Sequence, residues 1–95
     1  MIPDDRQRFE ARKDLIVEQL DDEVLILDLE RDACYGLNPI GLVIWHKILE
    51  GARFDDIVND LVATFDAPRP TLIEDASEFI QTLEKHALIT RAPLS

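Results

Sequence analysis

The side chains most able to do covalent or proton-transfer chemistry are Cys34, His46 and His86. A thiol beside an imidazole makes a nucleophile, and an imidazole alone moves protons near neutral pH. The spacing does not bring them together: Cys34 falls in a strand-like stretch and each histidine in a different helix-like stretch. A lone cysteine of this kind is expected to be a small, buried or half-buried apolar residue. Both histidines are expected to be exposed on their helices. A thiol-dependent enzyme built on Cys34 is the alternative, and it would need a convergent base. No metal is expected, because neither a Cys-x-x-Cys nor a His-x-x-x-His pair occurs. Three glycines form neither a phosphate-cradling loop nor a dinucleotide fingerprint, so no cofactor is expected either. The adjacent acidic pairs Asp21 with Asp22, Asp55 with Asp56 and Glu74 with Asp75 read as surface charge, since neighbouring helix positions diverge and turn positions are solvated. No residue is assigned a catalytic role.

Charge narrows the partners. Twenty acidic against ten basic residues give a formal net charge of -10, a field that repels polyanions. Nucleic acid is therefore not expected as a partner. The acidity serves solubility first, and it would also match a basic peptide or protein electrostatically. No apolar run is long enough to cross a bilayer, so no membrane is expected. The polar, acidic first residues lack an export signal and the single cysteine suits a reducing compartment, which together imply a cytoplasmic protein.

The elements that would position these residues can be read from periodicity. Residues 1–13 carry many charges and little apolar pattern, and read as a mobile N-terminal arm. Strands are expected at 15–17, 24–29 and 33–37, with a polar turn at 20–23 and another at 30–32. The run Val24, Leu25, Ile26, Leu27 is apolar on both faces, as suits the middle strand of three. Helices are expected at 39–50, 54–65 and 71–87. Asn38 is a good N-cap for the first, Pro39 fits its first position, and Gly51 suits its end. That helix is apolar around most of its circumference and should be central. The second shows Phe54, Ile57, Val58, Leu61, Val62 and Phe65 on one stripe, but Arg53 leaves its cap unexplained. On the third, Ile73, Ala76, Ile80, Leu83 and Ala87 form the expected core stripe, with Leu72 and Phe79 beside it. The chain is thus expected to be one α+β domain over 14–91, a three-stranded antiparallel sheet followed by three helices, with a short tail at 92–95.

Several of these segments together resemble the PqqD-like family, the RiPP recognition elements that act in biosynthesis of ribosomally made, post-translationally modified peptides. The resemblance covers residues 15–89. It rests on Leu25, Ile26, Leu27 and Leu29 of the second strand and on the junction Tyr35, Gly36, Leu37, Asn38. It rests also on Gly41 with Ile44, Trp45, Leu49 and Gly51, on Phe54, Asp55, Asp56 and Ile57, and on the closing Leu83, Leu88 and Ile89. The junction and the Ile44, Trp45 pair are most similar to stand-alone leader-binding proteins of lasso-peptide type clusters. Ala87 stands where the family usually has Gly, and Arg53 where it usually has Thr or Ser. The resemblance implies a winged helix-turn-helix-like fold without catalytic activity, which holds the leader segment of a precursor peptide for a leader peptidase or other modifying enzymes. In this family the leader adds as a strand to the third strand and lies in the groove between that strand and the third helix. Carried onto this chain, the edge would be Arg31, Asp32, Ala33, Cys34, Tyr35 and Gly36, and the groove wall Leu72, Asp75, Glu78, Phe79 and Thr82. A winged-helix transcriptional regulator would share the element order. It would need Lys and Arg on the third helix, which instead carries Glu74, Asp75, Glu78 and Glu84 against Lys85.

Overall fold

The computed structural model describes residues 2–21 and 23–93. Asp22 of the expected turn at 20–23, and Leu94 and Ser95 of the expected tail, lie outside them. The element order is β1 (Phe9–Ala11), β2 (Ile16–Gln19), β3 (Val24–Asp28), β4 (Ala33–Leu37), α1 (Pro39–Leu49), α2 (Phe54–Thr64), α3 (Arg69–Lys85) and β5 (Ile89–Arg91). The expected three-stranded antiparallel sheet is present in the order β2-β3-β4. Along β3 the side chains alternate, with Val24, Ile26 and Asp28 buried and Leu25 and Leu27 half-buried on the opposite face. That is the period of two a strand imposes, and it gives the sheet one face turned to the helices.

Helix α1 is the hub, packing on β1, β4, α2 and α3. It starts where Asn38 Oδ1 accepts a hydrogen bond of 2.7 Å from the Gly41 amide, with Pro39 in the first turn. Gly51 follows it at φ +79, the left-handed conformation that glycine tolerates best. Ile44, Trp45 and Ile48 are buried beneath it, as are Phe54, Ile57, Val58 and Leu61 of α2. Burying each such side chain contributes roughly 1.5–3 kcal/mol. On α3 the buried stripe is Leu72, Ala76, Ser77, Ile80 and Leu83, while Ile73 is half-buried. Ala87 lies beyond the helix at φ 57, where the Leu88 amide donates to the Leu83 carbonyl at 2.9 Å and closes the C-terminus.

The N-terminal segment departs from the expectation of an arm. Residues 9–11 form β1, which pairs antiparallel with β5 as a second, two-stranded sheet, and Phe9 is only 2% exposed within the common core. The described residues therefore form five strands rather than three. The same segment supplies the missing cap of α2: the carbonyls of Gln7 and Asp5 accept from the amides of Phe54 and Asp55 at 2.9 and 3.0 Å. Arg53 makes no side-chain cap because a distant stretch of backbone does that work. Gln7 is itself buried, its amide nitrogen donating to the carbonyls of Arg8 and Ala92. Arg12 then reaches the buried carboxylate of Asp28 through two hydrogen bonds of 2.7 and 3.1 Å, tying this segment to the middle of the larger sheet. Charge density hid the docking, since Phe9 is the one large apolar side chain in a run of ionic residues.

Candidate functional site

Strand β4 occupies one edge of the larger sheet. Beyond β3 it has no partner strand among the described residues, so alternate amides and carbonyls along it are free to pair with another extended chain. Its side chains divide by parity. Ala33, Tyr35 and Leu37 are half-buried on the helix side, opposite Asp28, Ile26 and Val24 of β3, while Cys34 and Gly36 are exposed on the outer face opposite Leu27 and Leu25. Cys34, expected to be buried or half-buried, is thus exposed, because it stands on the outer face of the sheet, away from the helices. The expected edge of 31–36 is also shifted. Arg31 and Asp32 are exposed turn residues, with Asp32 at φ 54 and the Arg31 amide donating to Asp28 at 3.3 Å.

Helix α3 packs mainly on α1, α2 and β5. At the C-cap of α3 an aromatic contact reaches β4: the rings of Tyr35 and His86 lie with centroids 4.9 Å apart at an interplanar angle of 44°. His86 is accordingly half-buried rather than exposed, whereas His46 is exposed as expected. Where β4 ends, a cleft of about 380 Å³ opens between the first turn of α1 and the middle of α3. Asn38, Ile40 and Gly41 line it from one side and Asp75, Glu78, Phe79 and Thr82 from the other. Phe79 and Ile40 are half-buried and supply the apolar surface; Asp75 and Glu78 make the rim acidic. The hydroxyl of Thr82 donates to the Glu78 carbonyl at 3.0 Å.

Four of the expected wall residues, Asp75, Glu78, Phe79 and Thr82, therefore meet in one concavity. Leu72 does not join them. It is fully buried in the core, because the inward stripe of α3 passes through Leu72, Ala76, Ile80 and Leu83 and leaves Ile73 at its border. Asn38, Ile40 and Gly41 were not foreseen as part of this surface, nor His86 as a neighbour of β4. A glycine three residues after an N-cap, inside an otherwise apolar helix, was the signal for a close approach there.

A second concavity, of about 660 Å³, lies between the C-terminal half of α1, β1 and the start of β2. Trp45, Ile48, Leu49 and Val17 line it, and the buried indole nitrogen of Trp45 has no acceptor among the described residues. The described residues hold no group of three or more His, Cys, Asp or Glu side chains able to bind a metal ion. Nor is any described helix long and apolar enough to cross a membrane.

The family described as coenzyme PQQ synthesis protein D (PqqD) matches residues 23–89. That span contains β3, β4 and all three helices, hence both sides of the cleft and the open edge. Among solved structures, one described as TbiB1 in complex with the TbiA(beta) leader peptide is 30% identical, with a TM-score of 0.76 over 84% of this chain and 93% of that one. Another, described as lasso peptide synthetase B1 complexed with the leader peptide, has a TM-score of 0.80 at 20% identity, covering 87% of this chain and 98% of that one. At the lower identity the likeness concerns the fold alone. No curated protein matches the chain.

Proposed function

The chain belongs to the PqqD family, the RiPP recognition elements, and from that premise we propose that it binds the leader segment of a ribosomal precursor peptide in a lasso-peptide type pathway. It does so without catalysing a reaction, and it presents the precursor to a leader peptidase or another modifying enzyme in the cytoplasm. The leader pairs as an additional antiparallel or parallel strand with β4, and its side chains on the helix side descend toward the α1–α3 cleft. The observation that carries this reading is the unpartnered edge of β4 lying beside a concavity lined by Asp75, Glu78, Phe79 and Thr82. Strand addition satisfies backbone groups of any sequence, and the cleft supplies the selectivity. The winged helix-turn-helix-like character implied by the resemblance belongs to the same proposal, with α2 and α3 as the helical pair.

Charge sets this reading apart from DNA binding, since α3 carries Glu74, Asp75, Glu78 and Glu84 against Arg69 and Lys85. Calorimetry against the leader of a precursor encoded beside this chain's gene should show saturable, one-to-one binding. A DNA duplex titrated by fluorescence anisotropy at low salt should show none. Specific duplex binding with no response to the leader would replace the proposal by a transcriptional regulator.

A further inference from the structure

Gly41 is the third residue of α1 and its amide is held by the Asn38 cap, so its backbone cannot move without breaking that bond. A Cβ built on it would lie 3.1 Å from Phe79 Cζ, 3.2 Å from Phe79 Cε1 and 3.1 Å from Asn38 Oδ1. Carbon atoms in favourable contact sit about 3.5–4.0 Å apart, so a side chain here needs the ring to give by a few tenths of an ångström, and crowds the Asn38 cap as well. Phe79 therefore rests on bare backbone at the first turn of α1. Gly41 itself is buried, and both residues line the same cleft.

We infer that Gly41 is a specificity-determining residue of the leader site: by lacking a side chain it seats the Phe79 ring low against α1 and so sets the depth of the cleft that receives a leader side chain. The inference rests on the proposed function. A methyl group at this position pushes the ring away from α1, and the space on that side is the cleft between the two helices. The pocket then becomes shallow while the strand edge on β4 is untouched. Conformational need does not explain the glycine, because Gly41 has no positive φ. In a helix alanine is the better residue. A glycine that weakens its helix and relieves no backbone strain has a packing reason, and what it makes room for is the edge of the Phe79 ring beside the Asn38 cap.

The test is calorimetric binding of two peptides, the leader of the neighbouring precursor and the TbiA(beta) leader, to wild type, Gly41→Ala, Phe79→Leu and the double variant. Urea unfolding is measured in parallel. Gly41→Ala should lose about tenfold in affinity, the size of one apolar anchor, while still unfolding in one cooperative transition. Adding Phe79→Leu, which shortens the displaced side chain, should restore most of the loss, so that the double variant binds better than Gly41→Ala. Equal binding by wild type and Gly41→Ala would overturn the inference and leave the proposed function standing. Losses that multiply in the double variant would overturn it too, since a filled cleft must be relieved by a smaller occupant. Failure of wild type to bind either peptide would sink the proposed function itself, and the inference with it.

Discussion

Asp28 is a carboxylate with no solvent exposure, and the Arg12 guanidinium is what makes its burial tolerable. Hydrogen bonds from Arg12, aided by the Arg31 amide and by the positive charge of Arg12, hold the Asp28 carboxyl below the usual carboxylate range against the opposing effect of burial. The same guanidinium lowers Asp14, and the two carboxylates raise Arg12 in return. A folded-state value below the unfolded one means that the stabilisation is present above the unfolded value, about 3.9, and is lost as pH falls through the folded one. Urea midpoints should therefore be level near neutrality and drop below about pH 4. Asp28→Asn should be less stable than wild type at pH 7, and the difference should shrink toward pH 3. A constant difference across that range would show that the pair does not titrate with folding.

Among the elements, β4 and the end of α3 make separable predictions. If a leader pairs with the backbone of β4, Cys34→Pro should weaken binding far more than Cys34→Ser, because only proline removes an amide and fixes φ. Circular dichroism first confirms that the proline variant folds. Equal losses would point to thiol or side-chain chemistry at Cys34 rather than strand pairing. At the end of α3, Ala87 holds φ 57, a conformation that an L-residue with a Cβ adopts at a cost. Ala87→Gly should raise stability by about 1 kcal/mol while leaving the α3 stripe unchanged, as denaturant titration would reveal. An unchanged or lower midpoint would mean that the loss of chain entropy in glycine cancels the relieved strain.

At the scale of the molecule, the N-terminal segment is part of the fold. Phe9 joins the core, β1 pairs with β5, and the carbonyls of Asp5 and Gln7 cap α2. Phe9→Ala should accordingly cost about 3–5 kcal/mol, the range for deleting a buried aromatic side chain. A variant as stable as wild type would show the segment to be detachable. The segment lies against the C-terminal half of α1, and the cleft opens at that helix's first turn. The core thus links the two halves: β1 and α3 both pack on α1, whose first turn lines the cleft.

Periodicity and capping residues were enough to set out β2, β3, β4 and the three helices in order, together with the Asn38 cap, the Gly51 terminus and the central place of α1. These are local matters, decided within a few residues by φ preference, side-chain alternation and unpaired amides. The family resemblance put the groove wall on α3, and spacings of three and four on that helix then grouped Asp75, Glu78, Phe79 and Thr82, with Leu72, on one side of it. What local pattern could not decide was which of two adjacent stripes on α3 turns inward, because Leu72 and Ile73 are equally apolar; packing against α1 and α2 chose Leu72. Nor could it reveal the pairing of residues 9–11 with 89–91, the capping of α2 by residues 5 and 7, or the burial of Asp28 with Arg12. Each joins residues far apart in the chain, through backbone groups that carry no sequence signature or through ionic side chains that look like solvated surface. The seating of Phe79 on Gly41 belongs with them: the glycine is visible in the sequence, but the ring that needs it comes from another helix, and only the tertiary fold brings the two within contact.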